Sequence, residues 1–313
     1  MNTSQTPLCL VVGFLGSGKT TLLRTIIRQF PDKQLAFIVN EFSEMDVDGA
    51  ALQQEHDTVV CLPGGSVFCR CLAGQFIQTL QDLPRTMHAP QWDGVVVEAS
   101  GIADPGVAPQ MLREAGLDTR YRLTRIIAVV DPGNIEALLQ ELPNTKSQLM
   151  TADVILINKT DVYDREQIDT ATALVRTVNE NAAIEHVVRC EIALPFFETP
   201  SSSRPTGDYA AAADPNFATA VAHTAAVVDT DKLTRALNTL RQELYRAKGF
   251  LNSPSGAVYL DWTPSTCSRF DLPDYTGPFG FSFIGRGTKT PAINAIAARL
   301  QSGAFNSQQD ASG

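Results

Sequence analysis

In the first two-thirds of the chain, short apolar runs rich in β-branched residues alternate with longer stretches of helical periodicity. The apolar runs predict strands at residues 8–12, 35–40, 58–62, 94–98, 125–130 and 153–158. The amphipathic stretches predict helices at residues 20–30, 72–83, 107–115, 134–142 and 165–178. Apolar strands that alternate with helices are typical of a mostly parallel sheet covered on both faces. We therefore predict an α/β fold with a doubly wound sheet, which binds its ligands beyond the carboxyl ends of the strands.

The pattern changes near residue 198, and this change divides the chain into parts. Residues 1–198 form the predicted α/β domain. Residues 199–223 are rich in Ser, Pro, Ala, Asp and Thr and lack periodicity, which predicts a linker. Residues 224–301 predict a smaller α+β domain, and residues 302–313 predict a flexible tail.

The smaller domain combines short apolar runs with two helical patterns. Its predicted strands lie at residues 225–228, 257–262 and 279–284. One helix is predicted from Asp229 or Thr230 to about Arg246, because leucines at four positions form one stripe. A second helix is predicted at residues 291–300.

Composition narrows the class of protein. Hydrophobic residues make up 44% of the chain and charged residues 19%, an ordinary balance for a globular protein. A net charge of −9 argues against nucleic-acid binding, which needs a basic surface. The start of the chain has no basic region typical of a signal peptide, and no apolar run is long enough to span a membrane. Six cysteines do not make a disulfide framework, so we expect a cytoplasmic protein.

A phosphate-binding pattern follows the first predicted strand. The string GFLGSGKT at residues 13–20 is a Walker A motif between a strand and a helix. Its glycines allow backbone N–H groups to point at phosphate oxygens, and the helix N-terminus adds positive charge. Lys19 is expected to reach the β- and γ-phosphates, and the Thr20 hydroxyl to bind Mg²⁺. The predicted phosphate contacts are Gly13, Gly16, Ser17, Gly18, Lys19, Thr20 and Thr21.

A base-recognition pattern follows the strand predicted at 153–158. Asn158, Lys159 and Asp161 form the NKxD pattern of guanine-specific GTPases. The Asp161 carboxylate can accept hydrogen bonds from guanine N1–H and N2–H, which adenine does not offer in that arrangement. The stem of Lys159 would cover the base, and Asn158 would brace the loop. We therefore predict that the nucleotide is GTP.

A third strand end supplies a candidate for the γ-phosphate. Glu98 closes the strand at 94–98, where its carboxylate can hold the Mg²⁺ hydration shell. The Gly101 N–H is placed to contact the γ-phosphate and to respond to hydrolysis. We predict that Lys19, Thr20 and Glu98 are catalytic. Four carboxylates could position the attacking water, and the sequence does not choose among Glu41, Glu44, Asp46 and Asp104.

These motifs together resemble the CobW-like family of cobalamin-synthesis-type GTPases, which are related to the accessory GTPases of urease and hydrogenase maturation. The strings that carry the resemblance are GFLGSGKTTLL at 13–23, NEFSEMDVDG at 40–49, EASGIADP at 98–105, VVDPGN at 129–134 and ADVILINKTD at 152–161. RAKGF at 246–250 and FIGRG at 283–287 resemble the C-terminal domain of that family. The resemblance implies a P-loop NTPase fold and GTP-driven delivery of a transition metal, or of a metal cofactor, to a client protein.

The cysteine segment departs from that family. Its members usually carry Cys-x-Cys-Cys after the third strand, whereas Ser66 and Phe68 stand at the first two of these positions and only Cys69 matches. Cys61 and Cys71 lie nearby, and three thiolates with Glu41 could make a tetrahedral site for Zn²⁺ or another thiophilic ion. The alternative is a rewired or lost site, since cysteine is often a small buried hydrophobe. Cys9, Cys190 and Cys267 are interpreted as core or incidental residues.

The leading hypothesis is a GTPase that couples hydrolysis to delivery or insertion of Zn, Co, Ni or Fe, or of a metallocofactor, into a client. Because no arginine can be assigned to the transition state, we expect the client or a second copy of the chain to complete the site. Two alternatives stay open: a GTPase that serves a corrinoid or other cofactor-dependent enzyme without carrying metal, and a GTP-gated binding module that scarcely hydrolyses.

Overall fold

The computed structural model of the chain describes residues 5–41, 58–63, 73–86, 92–99, 104–198, 217–264, 266–273, 275 and 277–306. For six of these residues it describes the backbone only, namely Glu41, Cys61, Pro63, Ala73, Thr86 and Phe217. The described residues form two compact units, one up to Glu198 and the other from Phe217 onward. Within these ranges, no helix has the length and apolar character needed to cross a membrane.

The first unit is built on a parallel sheet. Its strands are β1 Thr6–Val12, β2 Leu35–Glu41, β3 Val59–Pro63, β4 Gly94–Glu98, β5 Tyr121–Val130, β6 Val154–Ile157 and β7 Ala183–His186. Across the sheet the order is β3-β2-β4-β1-β5-β6-β7, and all of these neighbours run parallel. Strand β1 lies between β4 and β5, so the first loop of the chain lies at the point where the strand order reverses. The predicted doubly wound fold is confirmed.

Helices cover the sheet, and all of them except the helix at Pro143–Thr151 lie where the apolar periodicity predicts them. They are α1 Lys19–Gln29, α2 Ala73–Thr86, α3 Ala108–Glu114, α4 Ile135–Glu141, α5 Pro143–Thr151 and α6 Arg165–Val178. A 3₁₀ turn, Pro105–Val107, precedes α3. Helix α6 begins with a capping box, because the Asp164 carboxylate accepts from the Gln167 N–H while the Gln167 side chain accepts from the Asp164 N–H.

Alternate residues of the central strand face two separate hydrophobic clusters. Leu8, Leu10 and Val12 pack into the cluster that includes α2, α3, α5 and α6. Cys9 and Val11 face the opposite cluster, which is covered by α1 and by part of the segment that follows β7. Because both sides of β1 are buried, its loop starts from a rigid support. Each fully buried aliphatic side chain contributes about 1.5–3 kcal/mol to this stability.

The second unit is an antiparallel sheet packed against two helices. Its strands are β8 Phe217–His223, β9 Leu244–Ser253, β10 Gly256–Trp262, β11 Cys267–Asp271 and β12 Gly280–Arg286, in the order β11-β10-β9-β12-β8. Helices α7 Thr230–Thr239 and α8 Thr290–Gln301 supply apolar side chains to its core. Trp262, Phe281 and Phe283 fill the centre of that core.

Two element predictions in this unit are wrong. The helix predicted to Arg246 ends at Thr239, and Leu244 begins strand β9. Leu244 fits the helical leucine spacing, but pairing of β9 with both β10 and β12 decides the conformation of this stretch. The strand predicted at 225–228 makes only two isolated bridges, from Val227 and Val228.

Two predicted boundaries also change. Residues 217–223, assigned to the linker, form strand β8 and pair with β12. Residues 302–306, assigned to the tail, pack on the second unit, because Phe305 is buried and its carbonyl accepts from the Asp229 N–H. The alanine-rich composition of residues 217–223 concealed the strand, and the burial of Phe305 explains why the start of the predicted tail packs on the second unit.

Candidate functional site: a nucleotide pocket

The phosphate loop joins β1 to α1 with a backbone that only glycine adopts easily. Gly13, Gly16 and Gly18 have φ values of 136°, 78° and 116°. A Cβ at Gly13 would lie 2.3 Å from the Val129 oxygen, so the loop packs directly on β5. Each glycine predicted in this loop therefore has a steric reason to be there.

Helix α1 begins at Lys19 without a side-chain cap from any described residue, and its first turn has no acidic residue. The N–H groups of that turn are therefore left to a ligand or to water, and the helix dipole favours an anion. Lys19 is 6% exposed, and its ammonium donates to the Phe14 oxygen at 3.3 Å. The Ser17 hydroxyl is buried and, within the described ranges, has no hydrogen-bond partner, a cost that a polar ligand or a water molecule would remove.

Two predicted magnesium ligands contact each other. The Thr20 hydroxyl donates to the Glu98 carboxylate, with oxygen–oxygen distances of 3.1 and 3.3 Å. Glu98 ends β4, which pairs with β1, and only 6% of its surface is exposed. A hydroxyl and a carboxylate beside a phosphate loop are hard oxygen donors, which Mg²⁺ prefers. These residues therefore fit the ion, and Thr21 lies next to them in the first turn of α1.

Asn158 connects the base loop, residues 158–161, to the phosphate loop, residues 13–18. Its side-chain amide donates to the Ser17 oxygen at 2.8 Å, and its Oδ1 accepts from the Cys190 N–H at 3.0 Å. Asn158 is 2% exposed, so both bonds are shielded from water. A Cβ at Gly18 would lie 2.3 Å from the Asn158 Nδ2 atom, which shows how closely the two loops pack. The Asn158 side chain therefore links the two loops and the segment at Cys190.

Lys159 is held in a constrained conformation. Its φ of 61° is left-handed, which costs a non-glycine residue roughly 1–2 kcal/mol. Its ammonium lies 2.7 Å from Asp131 Oδ2, in an ion pair whose lysine and aspartate side chains are 19% and 5% exposed. Asp161 follows in an exposed turn, where a ligand can reach its carboxylate.

Residues 187–190 form a third segment of the pocket, which the sequence did not reveal. Thr160 donates to the Val187 oxygen from its N–H at 3.3 Å and from its hydroxyl at 3.1 Å. Arg189 and Cys190 are both left-handed, with φ values of 51° and 54°. Consecutive left-handed residues without glycine are strained, and such strain persists where surrounding contacts enforce it.

Cys190 is buried, as predicted for a core residue, but it also contacts the phosphate loop. Its thiol lies 3.4 Å from the Gly18 oxygen. Burial raises the pKa of this thiol to about 12, although the nearby Lys159 ammonium acts in the opposite direction. The thiol is therefore protonated at neutral pH and can donate to the carbonyl. No sequence pattern around Cys190 signals this contact.

Apart from Asp104, the remaining predicted site residues are described only in part or lie outside the described residues. Glu41 ends β2 and Cys61 lies within β3, on adjacent strands, while Gly101, Cys69 and Cys71 lie outside the described residues. Asp104 is described, and its carboxylate accepts from the Gly106 N–H at 3.0 Å. Glu44 and Asp46 lie outside the description. Among the residues with described side chains, no group of three or more His, Cys, Asp or Glu is arranged to hold a metal ion.

The described pocket lies at the carboxyl ends of β1, β4, β5 and β6. It combines a glycine-rich anion loop, a hydroxyl–carboxylate pair and an NKxD loop, which together define a P-loop nucleoside triphosphatase. A profile of the family described as "CobW/HypB/UreG, nucleotide-binding domain" matches residues 7–186. The chain belongs to this family, whose members are GTPases. The family resemblance predicted from the sequence is thereby confirmed.

Several characterised proteins are similar to the chain. The zinc chaperone YjiA of Escherichia coli is 29% identical over 259 residues, which cover 77% of this chain and 80% of that protein. The zinc-regulated GTPase metalloprotein activator 1 of Schizosaccharomyces pombe is 29% identical over 184 residues, or 55% of this chain and 43% of that protein. The crystal structure of Zn(II)-bound YjiA GTPase from E. coli aligns with a TM-score of 0.48 and 23% identity, covering 95% of this chain and 99% of that one.

Proposed function

We propose that this protein binds and hydrolyses GTP and couples the reaction to delivery of a transition metal, zinc in the first instance, to a client protein. One observation carries the nucleotide half of the proposal, namely that three separate motifs of the sequence meet in one pocket. Asn158 ties the base loop to the phosphate loop, and the Thr20 hydroxyl contacts the Glu98 carboxylate at the same edge of the sheet. The zinc half is supported by the names of relatives, among them the zinc chaperones YjiA and CobW.

The described residues are suited to phosphoryl transfer to water. That reaction depends on positioning and charge neutralisation more than on covalent chemistry. The Lys19 ammonium neutralises phosphate charge, and the first turn of α1 donates backbone hydrogen bonds. Thr20 and Glu98 would hold Mg²⁺, which supplies further charge neutralisation when bound. Gly101 would complete the contacts to the γ-phosphate.

Guanine selectivity rests on Asp161. Its carboxylate is exposed in the base loop and would accept from N1–H and N2–H of guanine. Adenine presents N1 as an acceptor and has no 2-amino group, so the same carboxylate would be left unpaired. The Lys159 stem would cover the face of the base.

The metal is cargo, and its proposed ligands are Glu41, Cys61, Cys69 and Cys71. Cys61 and Glu41 lie on neighbouring parallel strands. Asn40 pairs with Leu62, so Cys61 and Glu41 are each one residue away from that pair. Thiolates with one carboxylate suit a tetrahedral Zn²⁺ site and separate this ion from the oxygen-bound Mg²⁺. Such thiols stay reduced in the cytoplasm, where we place the reaction. A client protein, or a second copy of the chain, completes the site for hydrolysis.

The test measures nucleotide and metal binding on the full chain. We expect GTP with Mg²⁺ to bind at least about a hundredfold more tightly than ATP, as expected when an unpaired carboxylate rejects the wrong base. The Glu98→Gln variant should keep GTP affinity within a few-fold but lose about a hundredfold in single-turnover hydrolysis. Preference for ATP would contradict the base assignment, and negligible wild-type hydrolysis with client and metal present would favour the GTP-gated binding module.

Zinc is tested separately, by equilibrium dialysis of the wild type and a Cys69→Ser, Cys71→Ser double variant. The expected result is loss of about one equivalent of bound Zn²⁺, with GTP affinity unchanged. Cys267→Ser is the matched control, because Cys267 is an exposed thiol in the second unit. Full retention of zinc by the double variant would remove the cargo site and favour an accessory GTPase that carries no metal.

A further inference from the structure

The turn after β5 packs beside the base loop. Val130 pairs with Ile157 at the ends of β5 and β6, and the Asn158 N–H donates to the Val130 oxygen at 2.8 Å. The next residues along each strand, Asp131 and Lys159, therefore leave the sheet side by side. A Cβ at Gly133 would lie 2.5 Å from the Tyr163 hydroxyl, so the turn also packs on a residue just beyond the NKxD pattern.

Both carboxylate oxygens of Asp131 are used. Oδ1 accepts from the Gly133 N–H at 3.1 Å, which fixes the turn, and Oδ2 accepts from the Lys159 ammonium at 2.7 Å. Only 5% of the Asp131 side chain is exposed, so water screens this ion pair weakly. A lysine on the surface would sample many rotamers, whereas this one is held at both ends of its side chain.

The orientation of the Lys159 stem therefore depends on a residue outside the NKxD pattern. Its backbone is left-handed, between Asn158 in the phosphate-loop brace and Thr160 hydrogen-bonded to Val187. The ammonium is fixed by Asp131. With both ends fixed, the four methylene groups between them have little freedom, and they are the apolar surface that lysine can offer to a planar base.

We propose that Asp131 is a positioning residue for nucleotide-base recognition, which acts by holding the Lys159 side chain over the base. This inference rests on the proposed binding of guanine nucleotides. It assigns to the turn at 131–134 a role in affinity for the base that is separate from phosphate binding. A substitution at Asp131 should therefore weaken the binding of a nucleotide, and it should leave the affinity for a polyphosphate without a base unchanged.

The experiment uses Asp131→Asn in the full chain. Asparagine keeps an oxygen for the Gly133 N–H and removes only the charge that holds Lys159. By calorimetry we expect GTP and GDP to bind about tenfold more weakly, a typical loss for one charge-assisted hydrogen bond. Magnesium tripolyphosphate should bind within about twofold of the wild type, because it has no base. The matched control is Asp229→Asn, a helix-capping carboxylate near Lys232 in the second unit, which should change neither affinity.

A second background tests the route through Lys159. In a Lys159→Met protein, which keeps an apolar stem without the ammonium, Asp131→Asn should weaken GTP by less than about twofold. A further tenfold loss of GTP affinity in the Lys159→Met background would overturn the proposal. Equal losses of affinity for tripolyphosphate and GTP, or unchanged GTP affinity in Asp131→Asn alone, would also overturn it. If the wild type does not bind GTP, the proposed function fails. If it binds and Asp131→Asn binds equally well, only this inference fails.

Discussion

The two loops of the nucleotide pocket are built in different ways. The phosphate loop is contiguous, and its shape follows from glycines within residues 13–18 and from the start of α1. The base loop has no glycine, and its shape is imposed by contacts from Asp131, Ser17 and residues 187–190. One loop is specified by local sequence, and the other by contacts with residues that lie far from it in the chain.

This difference predicts how each loop fails. A change in the phosphate loop acts through backbone conformation, which no neighbour can replace. A change around the base loop removes one contact among several, so its cost should be graded. Substitutions in the two regions can therefore be ordered by expected effect.

The largest effect is expected from Gly18→Ala. The residue has a φ of 116°, and an added Cβ would lie 2.3 Å from Asn158 Nδ2. Strain and displacement of the brace together should weaken GTP binding by more than about a hundredfold, since such backbone strain costs of order 1–3 kcal/mol before any clash. Calorimetry measures the loss. Gly116→Ala is the control, because its φ is 66° but nothing lies within 4 Å of the added Cβ. Equal GTP affinity in the two variants would contradict the steric account.

An intermediate effect is expected from Asn158→Ala. Loss of both hydrogen bonds leaves the Ser17 carbonyl and the Cys190 N–H unpaired in a buried site. The free energy of unfolding should fall by about 2–4 kcal/mol, measured by urea denaturation without nucleotide. Asn181→Ala, at an exposed position, should change it by less than about 0.5 kcal/mol. Similar stability losses in both would show that the brace does not hold the two loops together.

The smallest effect is expected at Cys190, where the Cys190→Gly variant should be at least as stable as the Cys190→Ala variant. Both variants lose the buried thiol, but only glycine relieves the left-handed φ of 54°, a gain of about 1 kcal/mol. Denaturant unfolding of the two variants gives the comparison. An alanine variant more stable than the glycine variant would mean that residue 190 is not left-handed in solution.

The wild-type thiol also predicts a pH dependence. Its folded-state pKa is raised to about 12 from the ordinary value of 9.0, chiefly by burial. Its contribution to stability is therefore complete below pH 9 and lost as the pH rises from 9 toward 12. Cys190→Gly should lose less stability over that interval than the wild type, as measured by denaturation at each pH.

The sequence predicted those features that short patterns encode. The glycines, Lys19 and Thr20 lie within eight residues, and the apolar strand before them fixes the edge of the sheet on which they lie. Asn158 was predicted as a brace because it belongs to a four-residue pattern. Asp131 and Cys190 could not be assigned, since their partners are 28 and 172 residues away. Leu244 shows a second limit, because an apolar residue at helical spacing serves a strand equally well.

The close approach of Gly18 to Asn158 has a consequence for how such pockets diversify. Gly18 and Asn158 lie 140 positions apart in the chain, yet their atoms are in direct contact. A larger side chain at either position would therefore require a smaller one at the other. A chimera that grafts this phosphate loop onto another nucleotide-binding scaffold should require an asparagine, or a smaller residue, at the end of the recipient's sixth strand. If this packing constrains evolution, the residues at positions 18 and 158 should covary among homologous chains.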